Sequence, residues 1–270
     1  MALIIINSQQ PMMNMWQMAA RIWFLPLLIV ILSGCLAKTE NPVKIALLAP
    51  FEGSYREVGY EALYAAQLAM ADSGTPYFEL LALDDGGSIE SAKGRARAIL
   101  HDPAIRATLV LGNQASADAV QNAFGNHPVM IVGHWNAHPV GENTLILTSR
   151  EIDPLLTQST EEIGSEMLIL QDILPGSSFQ IVSSANLPDA LFRKRYVESN
   201  PFAPEPGLFA TLTYDATALA IQSVINNTPM KDIHYAGING SISFEDGYWK
   251  EAPINTFIYE KDKLTASTIR

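Results

Sequence analysis

Past residue 42 the chain alternates between short, wholly apolar runs and longer stretches in which apolar residues recur at helical spacing. Residues 45–49 are the first run, the signature of a strand covered on both faces. Pro50 and Gly53 interrupt it, Ser54 and Glu57 stand at capping-box spacing, and Val58, Ala62, Ala65, Ala66 and Ala69 follow on one helical face. A helix is therefore expected from Tyr55 to Asp72, lying close on a sheet through its alanines. The same alternation gives strands at Phe78–Leu83, Ala107–Leu111, Val129–Val132 and Leu145–Thr148. Helices are expected at Ile89–Leu100, capped by Ser88, and from Ser116 to Phe124. Strands spaced by such helices predict right-handed βαβ units, a parallel sheet and an α/β class. The loop from Pro50 to Ser54 then sits where a strand's carboxyl end meets a helix, the place where open α/β sheets bind ligands.

Beyond Ser149 the pattern weakens. Leu155–Leu174 has only faint helical period, Phe179–Ser183 reads as a short strand, and Asp189–Glu198 and Tyr214–Asn226 read as helices. Ser241–Phe244 and Asn255–Tyr259, on either side of Asp246-Gly247, read as extended segments joined by turns.

The N-terminus has a different character. Its first 35 residues carry one charge, Arg21, followed by the apolar run Ile22–Leu32 and then Ser33-Gly34-Cys35, the single cysteine of the chain. The run is too short for a comfortable membrane span and has the length of a signal-peptide core. The arrangement resembles the lipobox of bacterial lipoproteins, which implies acylation of Cys35 and an extracytoplasmic, lipid-anchored protein. The plain alternative is a buried helix with an incidental cysteine; an apolar core, small residues and a lone cysteine in that order favour the lipobox. Met18 is a second candidate start. With Cys35 lipidated no disulfide can form, so the exported part rests on its core alone. The formal charge of −11, spread rather than blocked, argues against a nucleic-acid partner and against a polybasic membrane patch.

Six stretches carry a further resemblance. "KIALLAPFEGSYREVGYEALYAAQLAMAD", "LALDDGGSIESAKGRARAIL", "LVLGNQASADAV" and "VMIVGHWNAHP" are similar, in order, to the first four strand-loop-helix units of the periplasmic branched-chain amino-acid-binding proteins, the solute receptors of ABC importers. "FRKRYVESNPF…TLTYDATALAIQSV" and "YAGINGSISFEDGYWKEAPINTFIYEKDKL" are similar to that family's closing helix and its final glycine-rich strands. The resemblance implies the type I periplasmic-binding fold, two α/β lobes with a solute between them, and no cofactor. It also marks a departure: "FRKRYVESN" arrives where a complete second lobe should still be running. The expected division is a signal peptide over 1–34, a tether over 35–42 and a first lobe over 43–149. A reduced second-lobe segment follows over 150–183, then a return to the first lobe over 184–250 and a terminal strand and tail over 251–270.

The resemblance places the ligand mouth at the ends of these strands, with Tyr55, Asn113, Ser116, Trp135 and Asn136 as candidate solute contacts and Tyr60 behind Tyr55. Each has a plainer reading. The tyrosines can cover a helix flank, and Ser116 can serve as an N-cap as well as hold an anion at a helix start. Trp135 either stacks on a ligand or fills the space a ligand needs. His134 and His138 have the spacing of zinc-binding helices but follow a strand and lack the intervening glutamate. Asp84-Asp85 reads as a pair satisfying nearby loop amides. No nucleophile turn, phosphate-cradling loop or dinucleotide fingerprint is present in the sequence. The expectation is a non-enzymatic, lipid-anchored solute receptor handing its ligand to an ABC permease. The alternative is an interaction lipoprotein of the same fold that regulates a partner such as a cell-wall synthase.

Overall fold

A computed structural model describes residues 42–158, 163–165, 178–260 and 263–267. The expected leader, Cys35, nearly all of the expected tether and, within the stretch 155–174, residues 159–162 and 166–174 lie outside the described residues.

The first half runs β1 (Val43–Ala49), α1 (Arg56–Asp72), β2 (Phe78–Asp84), α2 (Ile89–Ile99), β3 (Ile105–Val110), α3 (Asn113–Ser116), α4 (Asp118–Ala123), β4 (Val129–Val132) and β5 (Thr144–Leu147). All five strands are parallel neighbours in the order β5-β4-β3-β1-β2. The chain steps outward from β1 to β2 and then back past β1 to β3, so right-handed crossovers put α1 and α2 on opposite faces. Both faces of β1 are thereby covered, and Ile45 to Ala49 are completely buried.

The second half supplies α5 (Ile152–Gln158), β6 (Ile163–Gly164), β7 (Ser178–Ser183), α6 (Ala190–Ser199) and α7 (Leu208–Asn226). Two hairpins follow, β8 (Tyr235–Gly237) with β9 (Gly240–Ile242) and β10 (Phe244–Glu245) with β11 (Tyr248–Trp249), and then β12 (Asn255–Glu260) and β13 (Lys263–Ala266). β11 joins the large sheet beside β5, completing seven strands ordered β10-β11-β5-β4-β3-β1-β2. α7 packs along α1 and against β1, β3 and β4, and most of its residues are buried. A second sheet of only four strands has the order β13-β12-β7-β6. This is the reduced second lobe.

The chain passes between the two sheets three times, over 148–151, 184–189 and 250–254. These crossings are tied together. The Ser149 amide donates to Ser184 Oγ at 2.9 Å, and Asn255 Nδ2 donates to the Ala185 carbonyl at 2.8 Å.

Three local expectations need correction. Ser54 lies within a 3₁₀ turn, Gly53–Tyr55, and α1 starts one residue later than expected, at Arg56, with no side-chain cap. The helix expected from Ser116 breaks at Ala117, whose ψ of 146° is extended, into α3 and α4. Ser116 therefore ends a single turn rather than opening a helix. α7 begins at Leu208, six residues before Tyr214, because its cap comes from elsewhere in the chain. Glu61 Oε1 on α1 accepts from the amides of Gly207 at 2.9 Å and Ala210 at 2.6 Å.

Candidate functional site

The carboxyl ends of β1, β3 and β4 are adjacent, so their loops form one rim. Asp84, at the end of β2, ties this rim to the sheet edge: it accepts from the amides of Phe51 at 2.8 Å, Glu52 at 3.2 Å and Gly86 at 2.9 Å. Asp85 accepts from the Gly87 amide at 2.8 Å, and burial raises its carboxyl above the usual range. Both carboxylates thus satisfy loop amides, the role their position in the sequence suggested.

Tyr55, Asn113 and Asn136 are all exposed on this rim, in the 3₁₀ turn after β1, at the start of α3 after β3 and in the loop after β4. Tyr60 is also exposed and meets Phe51 edge-on at 5.7 Å. Asn136 adopts a left-handed φ of 51°, a conformation asparagine tolerates. Ser116 differs: it is buried, its hydroxyl reaches the Asn113 carbonyl at 3.5 Å, and its own carbonyl accepts from Gln121 Nε2 at 2.8 Å. The helix-start argument for an anion at Ser116 falls with the break at Ala117.

Trp135 resolves the choice left open by the sequence. Its ring is only 5 % exposed, stacks on Phe209 with centroids 5.2 Å apart, and its Nε1–H donates to the Val132 carbonyl at 2.7 Å. Polar and apolar parts of the indole are both satisfied inside the protein, so Trp135 fills space behind the rim. Gly133 permits this packing. Its φ is +86°, and a Cβ there would stand 3.1 Å from the Phe209 ring. Phe209 lies in the first turn of α7, so the cap from Glu61 also steadies the partner of Trp135.

The two histidines of this loop lie in unlike surroundings. His134 is buried and its Nε2 meets Asp153 Oδ1 of α5 at 2.6 Å, joining the rim to the segment that leads into the small sheet. His138 Nδ1 meets the Tyr248 hydroxyl at 2.7 Å. Among the described residues no group of His, Cys, Asp and Glu is arranged to hold a metal ion.

Sequence reading missed Glu61, Phe209 and Asp153, each of which acts on an element distant in the chain. At the far side of α7, buried Asp215 accepts from the amides of Ile238 and Asn239, both at 2.9 Å, and from Asn239 Nδ2 at 2.8 Å. It pins the β8–β9 turn. A Cβ on Gly237 would stand 2.4 Å from the Asp215 carboxyl carbon, so any larger residue there must displace that carboxylate.

No family model and no curated protein sequence matches the chain. Solved structures do. An extracellular ligand-binding receptor from Desulfohalobium retbaense superposes with a TM-score of 0.64 at 14% identity, covering 84% of this chain, which spans 60% of that protein. A branched-chain amino-acid transporter substrate-binding protein from Streptococcus pneumoniae, in complex with isoleucine, gives 0.59 at 13% identity, over 83% of this chain and 98% of that one. A solute-binding protein of an ABC transporter from R. palustris, in complex with benzoate, gives 0.59 at 10% identity, over 83% and 95%. The fold is the type I periplasmic-binding fold, with a small second lobe.

Proposed function

We propose that the chain is an extracytoplasmic receptor for a small solute, held to a membrane by a lipid on Cys35 and serving an ABC permease. The observation that carries this reading is the hinge: two sheets joined by three crossings, the second bonded to the first and to the start of β12, beside an open rim of strand-end loops. Solute would rest on Tyr55, Asn113 and Asn136, with Trp135 packed beneath; Ser116 holds the Asn113 loop from behind. Recognition is non-covalent, and the chain performs no chemistry on its ligand. The structural neighbours suggest the solute class, since isoleucine and benzoate share a carboxylate on an apolar body. We assign 1–34 to the leader and 35–42 to the tether. The larger lobe takes 43–149 and 184–250, and the smaller takes 150–183 and 251–270.

A four-stranded lobe offers few groups for contacts made only on closure, so one face of the solute stays wet and affinity is expected at about 10 μM or poorer. The test is a thermal-shift screen of the detergent-solubilised protein with isoleucine, leucine and benzoate. A ligand at 100 times its Kd adds about 2.7 kcal/mol. For a domain of this size that raises Tm by roughly 5–10 °C. Alanine at Tyr55 or Asn113 should abolish the shift. Silence across the panel at millimolar ligand would count against the receptor reading.

Burial of Trp135 favours the second reading, an interaction lipoprotein that grips a partner such as a cell-wall synthase. A stoichiometric complex with such an enzyme, together with silence in the solute screen, would decide for it.

A further inference from the structure

We infer that the two lobes form one rigid body, so that the protein meets its ligand at a single, fixed angle between its sheets. The inference goes beyond the receptor reading and holds whether the rim takes a solute or a protein.

A receptor that closes by bending needs crossings free to change their dihedral angles and lobes with separate cores. Neither is present among the described residues. Asn186, on the second crossing, has all four of its polar groups bonded. Its amide donates to Asn239 Oδ1 at 2.7 Å, and its Nδ2 donates to the Ile238 carbonyl at 3.0 Å. Its carbonyl accepts from Thr211 Oγ1 of α7 at 2.9 Å, and its Oδ1 accepts from Asn255 Nδ2 at 3.1 Å. The first three bonds reach the large lobe; the last reaches the first residue of β12 in the small sheet. The large-lobe partners are themselves fixed, because Asp215 of α7 holds the turn that contains Ile238 and Asn239. Just before Asn186, the Ala185 amide donates to Ser183 Oγ at 2.9 Å, and residues 183–185 are completely buried.

The apolar contacts agree. Phe179 and Ile181 of β7 and Phe257 of β12 belong to the same hydrophobic cluster as Ile45 to Ala49 of β1. Ala185 lies in that cluster too, and Leu187 and Ala252, from the second and third crossings, pack against it. One core thus serves both sheets. Bending at the crossings would break several bonds around Asn186 at once, leave buried polar groups unpaired and pull apolar side chains out of the shared core. A fixed angle also has a use. The rim is pre-organised, and binding there spends nothing on ordering the two lobes.

The experiment is a pulsed electron–electron distance measurement between spin labels on the two lobes of the full-length protein in neutral detergent. Labels are attached to Ala98→Cys on α2 and Ser178→Cys on β7, both exposed positions, in a Cys35→Ala background. Ala98→Cys with Glu198→Cys on α6 is the control pair within the large lobe. Between the lobes a single distance is expected, with a distribution no wider than the control's. Its maximum should move by less than about 2 Å with millimolar isoleucine or benzoate. Asn186→Ala should at least double the width while leaving the control pair unchanged. Where that variant does not fold, Asn255→Ala cuts only the bonds to β12 and serves in its place; circular dichroism and cooperative melting verify folding. A broad or two-peaked wild-type distribution would overturn the proposal. So would a larger shift with ligand, or a folded variant as narrow as the wild type. The wild-type width is read without ligand, so silence in the solute screen removes only the rim assignment, and a broad distribution beside a positive screen removes only this one.

Discussion

Glu61→Gln sets two forces on one carboxyl group against each other. Glu61 caps α7, whose own N-cap residue is Gly207 and offers no side chain. The amide donors and the positive end of the helix favour the carboxylate. Burial favours the neutral acid and dominates, raising the group from 4.5 to about 7, with nearby Glu57 adding to the effect. That rise corresponds to about 3 kcal/mol, at roughly 1.4 kcal/mol for each tenfold change in proton affinity. Below pH 4.5 the folded and unfolded chains both hold the proton. Between 4.5 and 7 the folded chain keeps a proton that the unfolded chain releases, so stability falls as pH rises through this window and levels off above it. Glutamine keeps the accepting oxygen and cannot ionise. The variant should therefore gain on the wild type by about 2 kcal/mol or more between pH 5 and pH 8. Urea unfolding at the two pH values measures it, as a midpoint difference growing by about 1 M for a slope of roughly 2 kcal/mol/M. Asp85 and Asp215, also raised by burial, tilt both proteins alike and cancel. A wild type that is the more stable of the two at pH 8 would refute the reasoning, because the ionised cap would then be the favoured one.

Trp135→Ala should cost about 3–5 kcal/mol in denaturant unfolding, the range for deleting a buried aromatic ring; a loss below 1 kcal/mol would mean the indole is not packed against Phe209. Gly237→Ala forces a methyl group into the Asp215 carboxylate and should lose about 1–3 kcal/mol or more, with faster hydrogen exchange at Ile238 and Asn239. Asp84→Ala leaves the Phe51, Glu52 and Gly86 amides without their acceptor, so stability should drop by about 1–3 kcal/mol and exchange at those amides should accelerate. Cys35→Ala should abolish labelling with a fatty-acid analogue and remove the protein from the membrane fraction; unchanged fractionation would end the lipid-anchor assignment.

The parts of this fold that could be read from sequence are those whose causes are local. β1 announces itself because residues 45–49 are an unbroken apolar run, buried in the sheet, and α2 because Ser88, its cap, stands directly before it and accepts from the Ser91 amide at 3.2 Å. Ser54 and Glu57 show the limit of such signals: their spacing is right, yet the chain enters α1 through a 3₁₀ turn and leaves the motif unused. The true start of α7 was hidden for the opposite reason, since the residue that caps it lies on α1. At the rim, exposure of Tyr55, Asn113 and Asn136 follows from their loops, but the burial of Trp135 depends on Phe209, which no local pattern places beside it. Asp84 was legible because a carboxylate at a strand end has few amides within reach other than those of adjoining loops.

The pairing of β7 with β12 sets an order on how the molecule assembles. Ser183 lies opposite Asn255, and every residue between them belongs to the larger lobe or to a crossing. Closing that ladder first would mean looping out some seventy residues of unfolded chain, a cost in entropy with few contacts to offset it. Within the large sheet, β1 with β2, β3 with β4 and β4 with β5 pair residues only 35, 21 and 15 positions apart, so these units form earlier. During synthesis β12 emerges near the end of the chain, and until then Phe179 and Ile181 on β7 lack the strand that covers them. The small lobe is therefore completed late, together with the pairing of β11 and β5, whose partners Ile146 and Tyr248 stand 102 positions apart. A chain cut before Asn255 would keep its large sheet while presenting a bare apolar strand edge, the feature that starts edge-to-edge aggregation.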